Sequence, residues 1–142
     1  MIELSCDIEG DKELSRRFNK IPQDIGSFHE PLFKIGNEVR MSVDANYSSR
    51  GSLFGAPWAA RKDSKSHPIL EDTGRMRSSF QQNLGSDYVE IFNPTPYFKY
   101  HQSNKPRKKL PRRIMLKLDQ IRKVFIVKTF QAHIGRAVQN GK

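Results

Sequence analysis

The sequence predicts an α+β fold, a small mainly antiparallel sheet packed with an amino-terminal helix pair and a carboxy-terminal helix. Three observations predict it. Residues 80–91 alternate apolar and polar side chains around a turn, which is the pattern of a hairpin. Two long stretches repeat apolar residues at steps of three and four, the period of a helix packed on one face. Strand and helix patterns do not alternate along the chain, so no parallel sheet is called for.

The elements follow in order. Ile2, Leu4, Cys6 and Ile8 alternate with Glu3, Ser5, Asp7 and Glu9, which predicts a half-buried strand ended by Gly10 and Asp11. Asp11 is placed to cap a short helix carrying Leu14 and Phe18, which stops before Pro22. Ile25, Phe28, Leu32, Ile35, Val39 and Val43 then share one helical face. Pro31 either kinks that helix or stands in its first turn, where a missing N–H costs nothing. Residues 46–68 lose periodicity and predict a long mobile loop with Trp58 as its anchor. Thr73 or Asp72 is placed to cap a short turn from Met76 to Ser79. Phe80, Gln82 and Leu84, the turn Gly85-Ser86-Asp87, and Val89 and Ile91 make the hairpin. Asn93-Pro94-Thr95-Pro96 interrupts pairing because proline has no donor. Residues 103–113 are basic and polar and predict a second mobile loop. From Met115 to Val138 the residues Leu118, Ile121, Val124, Phe125, Val127, Phe130, Ile134 and Val138 suit a helix with a broad apolar face, with a strand at Val124 to Val127 as the alternative.

A chain of 142 residues is the size of one ordinary domain, so residues 1–142 are read as a single domain. No apolar run approaches the roughly 18 residues needed to span a bilayer, and the acidic start does not resemble a signal peptide, so no membrane partner is expected. Cys6 is the lone cysteine and has no partner for an intrachain disulfide. It is read as a small core residue rather than a nucleophile, since no activating base accompanies it. The net charge is +10, yet Lys99 to Lys142 hold thirteen Lys and Arg against the single acid Asp119. All of the excess positive charge therefore lies in the last third, which favours an anionic partner, either nucleic acid or an acidic protein surface.

No phosphate-binding glycine loop, dinucleotide fingerprint, nucleophile elbow or HExxH pair occurs in the sequence. His29, His67, His101 and His133 lack the spacing of paired ligands on one helical turn, so no metal or other cofactor is expected. Glu71-Asp72 is the one paired carboxylate in the middle of the chain, and a helix start accounts for it without acid-base chemistry. No catalytic residue is assigned, and the chain is read as performing no bond-making reaction. Lys105, Arg107, Lys108, Lys109, Arg112 and Arg113 form a dense basic run near Tyr97, Phe98 and Tyr100. Basic side chains beside aromatics can grip a phosphate backbone and stack bases, whereas the same run also makes a solvated loop or a surface for an acidic partner.

Four segments resemble, in order and spacing, pieces of the phage virion morphogenesis family, which includes the tail-completion proteins of Mu-like phages. Ile69-Leu70-Glu71-Asp72-Thr73-Gly74-Arg75-Met76-Arg77-Ser78-Ser79 resembles its I-L-x-x-T-G-x-L-x-x-S segment, with Met76 in place of leucine. Gly55-Ala56-Pro57-Trp58 is similar to a G-x-P-W element, and Tyr97-Phe98-Lys99-Tyr100-His101-Gln102 to Y-A-x-x-H-Q. Leu110-Pro111-Arg112-Arg113-Ile114-Met115 is similar to a hydrophobic-Pro-x-Arg-x-Phe element. The chain departs from the pattern at Phe98, where alanine is usual, at Ser103 and Asn104, where glycine is common, and at Met115, which replaces an aromatic. The matched positions singled out are Thr73, Gly74, Ser78, Tyr97, His101, Gln102 and Pro111.

The resemblance implies a structural assembly protein that completes the tail or the head-tail junction. It also implies partners among other phage head-tail or tail proteins and copies arranged as a homo-oligomeric ring near the path of DNA. The expected location is the virion, after synthesis in the bacterial host cytoplasm. Trp58 is expected either to pin its loop to the core or to meet a neighbouring subunit. With the six cations of the basic run it makes up the expected interaction surface. The alternative function is a nucleic-acid-binding module built on the basic carboxy-terminal third.

Overall fold

The computed structural model describes residues 26–105 and 109–140. The strand expected at residues 2–8 and the short helix with Leu14 and Phe18 lie outside the described residues. So do Ile25, Arg107 and Lys108. The described residues form an α+β fold of four helices and one two-stranded antiparallel sheet. In chain order these are α1 (His29–Ser48), a 3-10 turn (Ser52–Phe54), α2 (Arg75–Ser78), β1 (Gln81–Leu84), β2 (Val89–Phe92), α3 (Phe98–Gln102) and α4 (Gln120–Asn140).

Helix α1 begins with Pro31 in its first turn, so of the two readings of that proline the first-turn placement holds. Ser27 Oγ accepts from the His29 N–H at 3.0 Å and satisfies one of the donors that a helix start leaves open. Leu32, Ile35, Val39 and Val43 are buried on one face, as their spacing predicts, and the face continues through Asn46 and Tyr47. The helix therefore claims the first residues of the stretch expected to be a loop. It ends in a Schellman arrangement, with Gly51 N–H on Asn46 O at 2.8 Å and Arg50 N–H on Tyr47 O at 3.0 Å. Arg50 and Gly51 both take positive φ to close it. A side chain on buried Gly51 would collide with the Trp58 ring.

The hairpin pairs Gln81 with Phe92 and Leu84 with Val89, and Gly85 N–H closes the turn on Tyr88 O at 2.9 Å. Its inward residues Val89 and Ile91 are buried with the apolar face of α1 in one core cluster. Gly36 sits where the sheet comes closest. A Cβ there would lie 2.5 Å from Gln82 Nε2 and 2.8 Å from Val89 Cγ2. Glycine inside a helix costs roughly 1 kcal/mol in propensity, and here it is what admits the hairpin.

The last helix starts at Gln120, not at Met115. Asp119 decides the boundary: its carboxylate accepts from the Arg122 N–H at 3.1 Å and pairs with the Arg122 guanidinium at 2.8 Å. Met115 and Leu116, ahead of it, are buried in an irregular segment that runs through the core. The strand alternative at Val124 to Val127 is overturned, since those residues are helical. Helix α4 runs antiparallel to α1, with Glu30 3.3 Å from Arg136 at one end and Glu38 3.7 Å from Arg122 at the other. Its buried face is narrower than its apolar pattern suggests. Ile126 is buried and Phe125 and Phe130 pack on the core, while Ile121, Val124, Val127 and Val138 are exposed. No helix among the described residues is long and apolar enough to cross a membrane.

Candidate functional site: a basic cleft

The segment from Leu110 to Leu116 has no helix or strand of its own, so its backbone groups need partners from elsewhere. They find them in side chains that stand far away in the sequence. Ile114 O accepts from both Trp58 Nε1 and Asn46 Nδ2, each at 2.9 Å. Gln102 Oε1 accepts from the Met115 N–H at 2.9 Å and the Leu116 N–H at 3.3 Å, and Gln102 Nε2 donates to Leu116 O. One amide side chain thus does the work of a missing neighbouring strand. Arg113 N–H donates to His101 O at 3.0 Å.

Trp58 is 8% exposed and stacks edge-on against Tyr47 at 5.1 Å. Of the two places expected for Trp58, the one that pins its loop to the core holds, and little of the ring is left to serve as interaction surface. Its indole fills the core and pins the 46–68 loop, because burying a large ring with a satisfied donor is more favourable than leaving it in water. The loop is held at further points, by Phe54 in the interior and by Trp58 N–H on Arg50 O at 2.8 Å. Arg113 is also drawn inward, yet it keeps a place in the wall of an open cleft. It is 8% exposed, and its guanidinium donates to Ala59 O at 3.2 and 3.0 Å and to Ala60 O at 3.4 Å.

Around this packed seam lies an open cleft of about 880 Å³. Thr73, Gly74, Tyr97, His101 and Pro111, all positions of the resemblance, line it together with Lys109 and Arg113 from the basic run. Ser78 and Gln102 do not line it. Ser78 is exposed and its hydroxyl turns back to Arg75 O at 3.2 Å. Gln102 borders a second groove of about 780 Å³, where Lys105 and Arg112 also stand. The described part of the basic run is therefore divided between the cleft and this groove. Gly74 in the left-handed conformation, φ 70°, holds the N-cap position of α2, while Thr73 Oγ1, one residue before it, accepts from the Arg75 N–H at 3.4 Å, and Asp72 lies against His67 instead. Only glycine enters that conformation without strain.

Several cleft residues were not singled out by the sequence. Arg61 is held by Asp63 at 2.7 Å and donates to His67 O at 2.8 Å, and His67 Nε2 lies 3.1 Å from Asp72. The hydrogen bond from Arg61 holds the Asp63 carboxyl below its ordinary range, and the same bond holds Arg61 above its own. Burial, followed by the nearby charge of Arg61, pulls Arg113 downward. Lys62 and Arg75 add two more exposed cations. Ile69, Leu70, Met76 and Leu110 supply the apolar part of the wall. On the flank away from the cleft, Arg77 ties Glu71 to Asp44 of α1 and lies 5.4 Å from the centre of the Tyr47 ring. Glu71 thus serves an ion pair, and nothing brings it together with Asp72 as an acid-base couple.

No three His, Cys, Asp or Glu side chains converge as a metal site among the described residues. What the cleft offers is a preformed surface of cations on an apolar base, suited to recognition. Comparisons with family models, with curated proteins and with solved structures return no match.

Proposed function

We propose that this chain is a structural assembly protein of a tailed phage or prophage, acting by surface complementarity at the tail end or head-tail junction. One observation carries the reading: the four segments that resemble the virion morphogenesis family are joined to one another. Trp58 of the first holds Ile114 of the last, Gln102 of the third holds Met115 and Leu116, and Thr73, Gly74, Tyr97, His101 and Pro111 border a common cleft. Residues that keep one order and spacing because they share a packed seam are what such a resemblance requires. In a ring each copy presents two different complementary patches to its neighbours, and the cleft and the second groove offer two candidate surfaces for them.

The test is genetic. Deleting the gene from its phage should leave heads and tails that do not join, and the intact gene supplied in trans should restore joined particles under electron microscopy. Normal particles from the deletion strain would refute the reading.

The cations facing both grooves also favour a second reading, a nucleic-acid-binding module. Phosphate contacts release counterions, so such binding should weaken steeply between low and moderate salt. A duplex titration at two salt concentrations separates the two.

A further inference from the structure

The cleft carries more positive charge than its own carboxylates balance. Asp63 is taken by Arg61, and Asp72 lies against His67. Lys62, Arg75, Lys109 and Arg113, which also line the cleft, form no ion pair with a described residue. Arg113 is the most informative of them. A guanidinium so deeply buried ordinarily has a carboxylate beside it, since removing a cation from water is costly. Its acceptors are instead the neutral carbonyl oxygens of Ala59 and Ala60. Burial and the like charge of Arg61 both weigh against its charged form. A buried cation with no counter-charge among the described residues, lining an open cleft, is a seat for an anion that comes from another molecule.

The walls narrow the kind of anion. Ile69, Leu70 and Leu110 are half-buried there and Met76 is buried. A phosphodiester backbone gains little from aliphatic walls. A peptide that sets carboxylates beside an apolar side chain uses both halves of the surface. We infer that the cleft docks an acidic peptide segment of a partner protein, with its carboxylates on Lys62, Arg75, Lys109 and Arg113 and an apolar side chain against Leu70 and Leu110. This names the chemistry of the partner in the assembly role and rests on that role only for the partner being another structural protein.

The experiment titrates the full chain with a fluorescent random copolymer of glutamate and tyrosine, and separately with a fluorescent DNA duplex of unrelated sequence. The copolymer should bind. The triple charge reversal Lys62→Glu, Arg75→Glu, Lys109→Glu should weaken it by at least about tenfold. The reversal Lys117→Glu, Lys123→Glu, Lys128→Glu changes the net charge equally at exposed positions outside the cleft and should leave binding unchanged. None of these six side chains forms an ion pair with a described residue, and matching thermal melts verify that both variants fold. No affinity for the copolymer, equal losses in the two variants, or tighter binding of the duplex through the same three cleft cations would each overturn the inference. A cleft variant that loses the copolymer yet still joins particles leaves the docking site standing and counts against the assembly role. An intact chain with no copolymer affinity whose deletion blocks joining does the reverse.

Discussion

Trp58 and Ile114 stand 56 positions apart, and the indole N–H of the first donates to the carbonyl oxygen of the second at 2.9 Å. That bond ties the 46–68 loop to the irregular segment before α4, and Asn46 of α1 shares the same acceptor at 2.9 Å. Three stretches of chain therefore meet on one oxygen.

Trp58→Phe keeps an aromatic ring and removes the donor. Part of the apolar contact is lost along with one hydrogen bond, so the expected destabilisation is about 2 kcal/mol. Urea denaturation followed by far-ultraviolet circular dichroism measures it. An unchanged midpoint would mean that the indole N–H contributes nothing.

Gln102→Ala should cost more, about 2–4 kcal/mol, because it leaves the Met115 and Leu116 backbone groups without the partners they now have. Gln102→Glu keeps the acceptor for the two N–H groups and loses the donor to Leu116 O. It should fall between the wild type and the alanine variant. The ranking of three denaturation midpoints decides the matter.

Gly36→Ala is expected to destabilise although alanine is the better helix former. The added methyl meets Gln82 and Val89, and overpacking at such a contact outweighs the propensity gain by about 1–2 kcal/mol. Combining it with Gln82→Ala removes the flexible half of the clash. Recovery in the double variant, against either single change, shows that the contact is the cause.

The pH dependence of stability is expected to carry the signature of Tyr47. Burial, and then the charge of Glu71, push its phenol well above the ordinary 10.0. A group whose pKa is raised on folding stabilises the fold fully below its unfolded value, and that contribution is lost as pH climbs beyond it. The melting temperature of the wild type should therefore drop on going from about pH 9 to about pH 11, and that of Tyr47→Phe should drop less. Parallel curves for the two proteins would refute the assignment.

The parts of the fold that the sequence foretold are those written as a period. Val89 and Ile91 alternate, and Leu32, Ile35, Val39 and Val43 repeat at helical steps, so the hairpin and α1 follow from short-range pattern alone. The start of α4 was misjudged because Met115, Leu116 and Leu118 are as apolar as helix residues, and only the carboxylate of Asp119 marks the change. Arg113 was expected at the surface, and Trp58 either in the core or against a neighbouring subunit, because neither lies in a periodic stretch. Their burial depends on carbonyl partners 53 to 56 positions away, and no local pattern encodes such pairs. Arg61 and Lys62 were passed over for the same reason. Their stretch is aperiodic, and only folding brings it to Lys109 and Pro111.

Along Pro111 to Leu116 the residues Pro111 and Arg113 line the cleft and Arg112 borders the second groove, whereas Met115 and Leu116 are both buried in the core. Register, set by the bonds from Gln102, Trp58 and Asn46, governs this stretch. Inserting or deleting a single residue there would carry the Met115 and Leu116 backbone groups away from Gln102, take the Ile114 carbonyl away from Trp58, and draw Met115 out of the interior. Over evolutionary time this stretch should drift in spelling while holding its length fixed.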